Sequence, residues 1–222
     1  MKPQDIIPLY EAKKQIYGSD TYRHITELLE EAKAQHKKAF TGKDFEQSWK
    51  PLKGKSLEKL VEHIIVDEVH SLGLEVINGN LLERASGAKL GVALSKVKRN
   101  LLIDYGEFGS HLPDVDIIIY SPQDYEVIAV LSVKTTLRER IAQTGYWKLK
   151  LSLDAVTEHI KVYFVTPDED KTLKTINPPK KPRAIVEVDL DGSYVLNDDA
   201  IEESTKVKTF DKLIDDLRAI IK

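Results

Sequence analysis

A mixed α/β fold, with a central β-sheet flanked by helices, is the fold class that the sequence predicts. Two β-branched runs, residues 115–120 and 126–133, are separated by a Ser-Pro-Gln-Asp turn and predict neighbouring antiparallel strands. Apolar residues recur at helical spacing before and after this pair. The order helix, strand, strand, helix, strand, strand predicts one sheet between layers of helices.

The first two helices are predicted from their apolar stripes. One is expected over residues 22–40, within a charged N-terminal stretch, and the other over residues 56–72, with Ser56 as its N-cap. A proline and a glycine interrupt the chain between them. We therefore expect an N-terminal helical layer over residues 1–50 and the core of the fold over residues 51–222.

The second half of the chain is expected to continue with helix and strand. Residues 137–160 have helical periodicity, residues 162–166 and 184–190 have the composition of strands, and residues 210–220 predict a terminal helix. Residues 84–100 carry five basic side chains and no acidic one, and their glycines predict a loop. A solvated surface and a partner-binding arm are equal alternatives for this basic segment.

Composition limits the class of protein. The 222-residue chain is 41% hydrophobic and has no cysteine, which excludes disulfide frameworks, thiol nucleophiles and cysteine-ligated metals. The sequence has no signal-peptide pattern and no apolar run of membrane-spanning length, so we expect a cytoplasmic protein with no membrane partner. Because the formal net charge is −3, a nucleic acid would need positive charge concentrated locally.

Two acidic residues stand where a loop enters the first predicted strand. Asp114 and Asp116 alternate with apolar residues and therefore share one face of that strand. The partner strand ends at Ser132, Val133 and Lys134, and its hairpin geometry is expected to bring Lys134 close to Asp114. A carboxylate beside an ammonium group is suited to binding a divalent cation and activating water.

A charged motif follows Lys134 at the start of the next predicted helix. Arg138, Glu139 and Arg140, which we call the readout motif, could enter a DNA major groove. Arginine pairs with guanine in two hydrogen bonds, and glutamate accepts one from cytosine. The alternative is a solvated helix start, although arginine is disfavoured in the first turn of a helix.

These motifs, in this order, resemble type II restriction endonucleases of the PD-(D/E)xK superfamily. The chain is most similar to the subset that reads CCGG or CCNGG sites, in which the lysine strand runs into an arginine-rich recognition helix. The resemblance covers about residues 54–166 and includes the helix containing Glu58. It implies a restriction-endonuclease-like core.

The resemblance implies roles for individual residues. Asp114 would bind Mg²⁺, Lys134 would orient or deprotonate the attacking water, and Glu58 would complete the metal site, with Glu62 as the fallback. The carbonyl of Val133 would be a further ligand. Arg138, Glu139 and Arg140 would read bases.

The chain departs from the family pattern in one place. Ser132 occupies the catalytic position, two residues before Lys134, that usually holds an acid. The second metal ligand would then be Glu58, Gln143 through its amide oxygen, or a residue elsewhere.

The expected activity is that of a homodimeric type II deoxyribonuclease. It would use Mg²⁺-activated water to cut both strands of a short duplex DNA site containing G·C pairs, leaving 5′-phosphate ends. The basic segment would contact the DNA backbone through Lys89, Lys96, Lys98 and Arg99. The alternatives are a structure-specific repair or junction nuclease of the same fold and a non-catalytic DNA-binding protein. The terminal helix and the N-terminal layer are the expected alternatives for the dimer interface.

Overall fold

A computed structural model describes the whole chain except Ser86, Lys222 and the side chains of Gly87, Ala88 and Arg138. Its strands are β1 (Glu75–Asn78), β2 (Ile103–Asp104), β3 (Ser110–His111), β4 (Ile117–Tyr120), β5 (Val127–Val133), β6 (Lys161–Thr166), β7 (Gly192–Val195) and β8 (Val207–Thr209). One six-stranded sheet has the order β1-β4-β5-β6-β7-β8, and β2 pairs with β3 in a separate hairpin.

Strand direction changes within the main sheet. β1, β4 and β5 are antiparallel neighbours, whereas β5, β6, β7 and β8 run parallel to one another. The predicted antiparallel pair is confirmed as β4 and β5, with Ile117 opposite Leu131. The predicted mixed α/β class is also confirmed.

Helices cover both faces of the sheet. They are α1 (Ile6–Tyr17), α2 (Ile25–Ala39), α3 (Phe45–Ser71), α4 (Gly79–Arg84), α5 (Gly87–Arg99), α6 (Arg138–Leu151), α7 (Lys181–Asp189) and α8 (Leu213–Ile220). Alternation along β4 explains why one sheet separates two cores. Ile117 and Ile119 pack with residues of α1, α2, α3 and α8, whereas Ile118 packs with residues of α4, α5, α6 and α7.

The helix preceding β1 is longer than predicted. α3 begins at Phe45, and the Asp44 side chain caps it by accepting a hydrogen bond from the Gln47 amide at 3.0 Å. Pro51 and Gly54 lie inside it, so the interruption and the N-cap predicted for Ser56 are wrong. Buried contacts on both sides of the proline, at Trp49 and Leu57, outweigh its local effect.

Two other segments differ from the prediction because amphipathic packing overrides local composition. The basic segment begins at the last residue of α4 and forms α5 instead of a loop, with Leu90 and Val97 buried. Gly91, at a φ of 72°, interrupts α5. Residues 184–190, expected as a strand, lie mostly within α7, where Arg183 and Val186 share the buried face.

The remaining predicted elements have their expected type. α2, α6 and β6 fall within the predicted ranges or extend them by one residue, and the terminal segment is a 3₁₀ turn (Phe210–Lys212) followed by α8. None of the helices among the described residues has the length and apolar character needed to cross a membrane.

Candidate active site

Asp116 stands at the edge of the sheet, immediately before β4. Its amide donates to the Leu131 carbonyl at 3.0 Å, and its own carbonyl accepts from the Gly79 amide at 2.9 Å. Its side chain is buried although it is acidic. A buried carboxylate needs hydrogen-bond donors or opposite charge, and the end of β5 supplies both.

The Asp116 carboxylate binds two consecutive residues of the neighbouring strand. Oδ2 accepts from the Val133 amide at 2.6 Å, and the Lys134 Nζ donates to Oδ1 and Oδ2 at 2.8 and 2.7 Å. Val133 ends β5, which is antiparallel to β4, so the end of one strand meets the beginning of the other. Lys134 therefore lies beside the start of β4, as the predicted hairpin requires.

The aspartate beside Lys134 is not the expected one. Asp114 is exposed, and its Oδ2 accepts from the Gln143 side-chain amide at 3.1 Å. Backbone hydrogen bonding to β5 reaches back to Asp116, and Asp114 lies two residues further from the sheet. The expectation that Asp114 lies against Lys134 is corrected for this reason.

Glu58 on α3 joins Asp116 and Lys134, and we call these three residues the acid–lysine cluster. Burial raises the pKa of the Glu58 carboxyl from 4.5 to about 7, and the neighbouring Asp116 carboxylate adds to the rise, while Lys134 opposes it. The carboxyl groups of Glu58 and Asp116 therefore lie close enough to interact. The fallback Glu62 instead accepts from Lys59 on the same helix, at 2.9 and 3.0 Å.

The donor set of this cluster fits a hard divalent cation. Two neighbouring carboxyl groups are stabilised by a proton or another positive charge close to both of them. Within the described residues, no group of three acidic or histidine side chains could hold a metal. An ion at this cluster would have two side-chain ligands, Asp116 and Glu58, and would need further oxygen ligands such as the backbone carbonyl of Val133. All of these are oxygen donors, as Mg²⁺ prefers.

Ser132 is buried within β5, two residues before Lys134. Its hydroxyl is neutral, so it cannot supply the negative charge that a carboxylate would give to a metal site. Glu58, arriving from α3, is the acid that the structure brings to this cluster. Where the family pattern has an acid and this chain has Ser132, Glu58 of α3 brings a carboxyl group to the cluster.

The readout motif begins α6, four residues after Lys134. Glu139 and Arg140 are exposed, and the Arg138 side chain lies outside the described part of the structure. Arg140 Nη1 donates to Gln143 Oε1 at 3.3 Å, and the Gln143 amide nitrogen donates to Asp114. Both ends of the Gln143 amide are therefore engaged away from the acid–lysine cluster.

Some cations of the basic segment contact other parts of the chain, and the others face only solvent. Lys98 Nζ donates to the carbonyls of Leu82 and Ala85, at 2.7 and 3.4 Å, and so caps the end of α4. Lys96 lies 4.7 Å from the centre of the Tyr125 ring, a cation–π contact. Lys89 and Arg99 are exposed to solvent.

Gly79 is a supporting residue that the sequence analysis missed. A Cβ at this position would lie 2.0 Å from the carbonyl oxygen of Val115, next to Asp116. Only glycine allows α4 to start this close to the strand entry. Asn78 caps the helix by accepting from the Asn80 amide, and this Asn-Gly-Asn start was the available sequence signal.

Comparison with known proteins gives one consistent family. The family model described as BsaWI restriction endonuclease type 2 matches residues 93–216. A Methanocaldococcus jannaschii protein named type II restriction enzyme MjaVIP is 36% identical over 217 residues, covering 90% of this chain and 94% of its own. A Helicobacter pylori protein named type II restriction enzyme HpyAORF263P is 36% identical over 127 residues, covering 57% of this chain and 64% of its own.

Solved structures share the fold at low sequence identity. The restriction endonuclease AgeI in complex with DNA aligns with a TM-score of 0.65 at 14% identity, over 97% of this chain and 83% of AgeI. The restriction endonuclease PspGI with substrate DNA aligns with a TM-score of 0.52 at 16% identity, over 99% of this chain and 80% of PspGI.

The raised pKa of Glu58 predicts a pH-dependent response to divalent cations. Between pH 4.5 and 7 the folded protein holds a proton on Glu58 more tightly than the unfolded chain does. Stability without metal should therefore fall as pH rises through that window. A bound cation must displace the proton, so its apparent affinity should weaken about tenfold per pH unit below 7.

Melting temperatures measured from pH 5 to 8, with and without Mg²⁺, test this expectation. Glu58→Gln should flatten the pH dependence and reduce the Mg²⁺-induced shift. Glu62→Gln, one turn further along α3, is the matched control and should behave like the unsubstituted protein. Equal Mg²⁺ shifts at pH 5.5 and pH 8 would contradict the assigned role of Glu58.

Gly79→Ala should destabilise the protein, because the added methyl group must displace the Val115 carbonyl. The expected cost is about 1–3 kcal/mol, as for other overpacked sites. Gly54→Ala is the control, since a Cβ there meets no heavy atom within 4 Å. It should leave stability unchanged or raise it by about 0.5–1 kcal/mol. Urea unfolding curves measure both, and equal midpoints would refute the steric argument.

Proposed function

The chain belongs to the type II restriction endonucleases, in the BsaWI family, and on that premise we propose its substrate, cofactor and products. As a member of this family it is an endonuclease that cleaves DNA at specific sites. We propose that it is Mg²⁺-dependent and that it cuts both strands of a short duplex site containing G·C pairs. The ends carry 5′-phosphates, and the enzyme acts in the cytoplasm as a homodimer.

One observation carries this proposal. The acid–lysine cluster stands at a sheet edge, and the exposed readout motif begins four residues after Lys134. A group that can act on water and groups that can read bases therefore lie on one continuous segment. This arrangement favours sequence-specific cleavage over binding alone.

The chain's own residues divide the chemical work. Asp116, Glu58 and the Val133 carbonyl would hold the cation, which when bound would neutralise the charge of the scissile phosphate and make a water more acidic. Lys134, partly exposed beside Asp116, orients that water and relays its proton. Lysine suits this role because its compact ammonium group has three donors that can rotate towards a water, whereas the guanidinium of arginine is planar and rigid. Attack by water on phosphorus breaks the bond to the 3′ oxygen. The water gives up one proton and the leaving oxygen takes one up, so the products are a 5′-phosphate and a 3′-hydroxyl.

Asp116 replaces Asp114 as the proposed metal ligand, and Gln143 has a different proposed role. Gln143 links the readout arginine Arg140 to Asp114, the residue two positions before Asp116. It is a positioning residue that holds Arg140 in place for base contact. Arg138, Glu139 and Arg140 read the G·C pairs.

The DNA backbone is contacted by the exposed cations of the basic segment. We assign this role to Lys89 and Arg99, together with Lys96. Lys98 is already occupied as the cap of α4, so we assign it a structural role.

Two cuts in one duplex site are most simply made by two active sites. A palindromic site has two-fold symmetry, which a symmetric dimer with one acid–lysine cluster per subunit matches. We therefore propose that each subunit cuts one strand.

Digestion of linear duplex DNA with Mg²⁺ should give discrete fragments whose ends, when sequenced, share one G·C-containing site and carry 5′-phosphates. With Ca²⁺ the protein should bind without cutting. Branched substrates cut irrespective of sequence would instead indicate a junction nuclease. DNA left intact across pH and temperature would indicate a non-catalytic binding protein.

Substitutions in the cluster should separate chemistry from binding. Lys134→Ala should lower the single-turnover cleavage rate by about 10²–10⁴-fold, the usual contribution of a proton-transfer group. Asp116→Asn should cost at least as much, because it also weakens the metal site. Asp114→Asn is the matched control and should retain cleavage within about tenfold. Gel-shift assays in Ca²⁺ should show DNA binding by all three variants; faster cleavage by Asp116→Asn than by Asp114→Asn would reverse the assignment.

A further inference from the structure

The lysines of α3 that flank Glu58 differ in whether a carboxylate neutralises them. Lys53 pairs with Glu169 at 2.6 Å, and Lys59 pairs with a carboxylate of its own helix at 2.9 Å. Lys55 is exposed, and within the described part of the chain its ammonium group takes part in no ion pair or hydrogen bond. That charge is therefore available to an anion from outside the chain.

Lys55 stands beside the acid–lysine cluster without serving as its counter-ion. It precedes Glu58 by three residues, so the two side chains are neighbours on one face of α3. Its charge lowers the pKa of the Glu58 carboxyl, but Lys134 lowers it more, and burial still raises that pKa to about 7. The positive charge of Lys55 is thus left largely unused by the protein itself.

The residue before Lys55 leaves open space at the helix surface. A Cβ built on Gly54 meets no heavy atom within 4 Å. Glycine inside a helix is less stable than alanine, and no close contact within the described chain requires it here. Glycine is also used where another molecule approaches a backbone closely. Gly54 and Lys55, which we call the α3 turn, therefore combine an available cation with an unobstructed surface.

The α3 turn is held in place relative to Lys134. Lys53, immediately before it, pairs with Glu169, which follows the end of β6 by three residues. Lys134 donates its backbone amide to the carbonyl of Val165 in β6 at 3.0 Å. Because the same strand supports both contacts, a ligand that touches Lys55 and Lys134 meets them at a fixed spacing.

We propose that the α3 turn binds the cleaved DNA strand, with the Lys55 ammonium on a non-bridging oxygen of the scissile phosphate. An ammonium group on a flexible stem binds phosphate as a point charge with three donors. Glu58 belongs to the cluster that acts on that phosphate, which places its neighbour Lys55 at the same group. The missing side chain of Gly54 lets the adjoining sugar lie against the helix. This role rests on the proposed function, which supplies the strand.

A neutral phosphate analogue tests the contact. Two duplexes containing the cleavage site, one with a methylphosphonate in place of the scissile phosphate and one unmodified, are compared for binding in saturating Ca²⁺. Lys55→Ala should weaken binding of the unmodified duplex about tenfold, the usual contribution of a hydrogen bond to a charged group. It should weaken binding of the methylphosphonate duplex by less than about twofold, because the charged partner is already absent.

Lys50→Ala is the matched control, since Lys50 is also an exposed lysine of α3 but lies eight residues before Glu58. Any effect of this substitution should be the same factor on both duplexes. Equal losses on the two duplexes for Lys55→Ala, or no loss on either, would overturn the proposal. Such a result would leave Lys55 as a solvated surface charge.

Gly54→Gln tests the open surface separately from stability. Glutamine is a better helix former than glycine, and its Cβ meets no neighbour, so the melting temperature should be unchanged or higher. Its side chain occupies the space proposed for the strand, so affinity for the unmodified duplex should fall about tenfold, as for other steric overlaps. Unchanged or tighter DNA binding by the folded variant would contradict the close approach.

These measurements use binding, so their failure is distinguishable from failure of the proposed function. If the chain cuts no DNA, the salt dependence of its binding to any duplex replaces the comparison, and Lys55→Ala should reduce the slope by about one. That reduction in a protein without cleavage would refute the nuclease and retain the phosphate contact. Site-specific cutting with DNA binding indifferent to Lys55→Ala would retain the nuclease and overturn the contact.

Discussion

The hydrogen bonds from Val133 and Lys134 to the buried Asp116 carboxylate are the interaction on which the site depends. They exist because β4 and β5 are antiparallel and in a register that sets the Asp116 amide against the Leu131 carbonyl. The sheet thus holds an acid from the start of one strand beside a base from the end of the next. α3 adds Glu58 from one face, and α6 begins just after the same lysine.

The same arrangement is electrostatically incomplete without a cation. Two carboxylates face one ammonium group, and burial makes the surplus negative charge costly. The raised pKa of Glu58 expresses that cost as a retained proton. A divalent cation would remove this cost, because it would bind the same carboxylates whose negative charge destabilises the metal-free protein. The two carboxylates therefore lower the stability of the metal-free protein, and a bound cation would restore it.

The sequence predicted the strand pair and the position of Lys134 beside the start of its first strand, but not which aspartate is buried there. Asp114 and Asp116 have the same parity along the strand, so alternation assigns both to one face. What separates them is how far the chain stays paired with β5, and that depends on tertiary contacts such as the one from Gly79. Local composition also gave the wrong prediction for residues 184–190, which lie mostly in α7. Its β-branched residues favour a strand in isolation, but the buried Arg183, donating to the Leu173 carbonyl, holds a helix there.

The connection between Lys134 and α6 explains how recognition and cleavage can be coupled. Three residues join them, and the last, Leu137, is fully buried and accepts from the Ile141 amide at 3.1 Å. If the readout motif contacts bases as proposed, a link this short and this well anchored would transmit a displacement of the helix to the strand end. A readout motif that fits its bases poorly would then shift Lys134 relative to Asp116, where catalytic geometry tolerates little error. Discrimination between sites would therefore act on the chemical step as well as on binding.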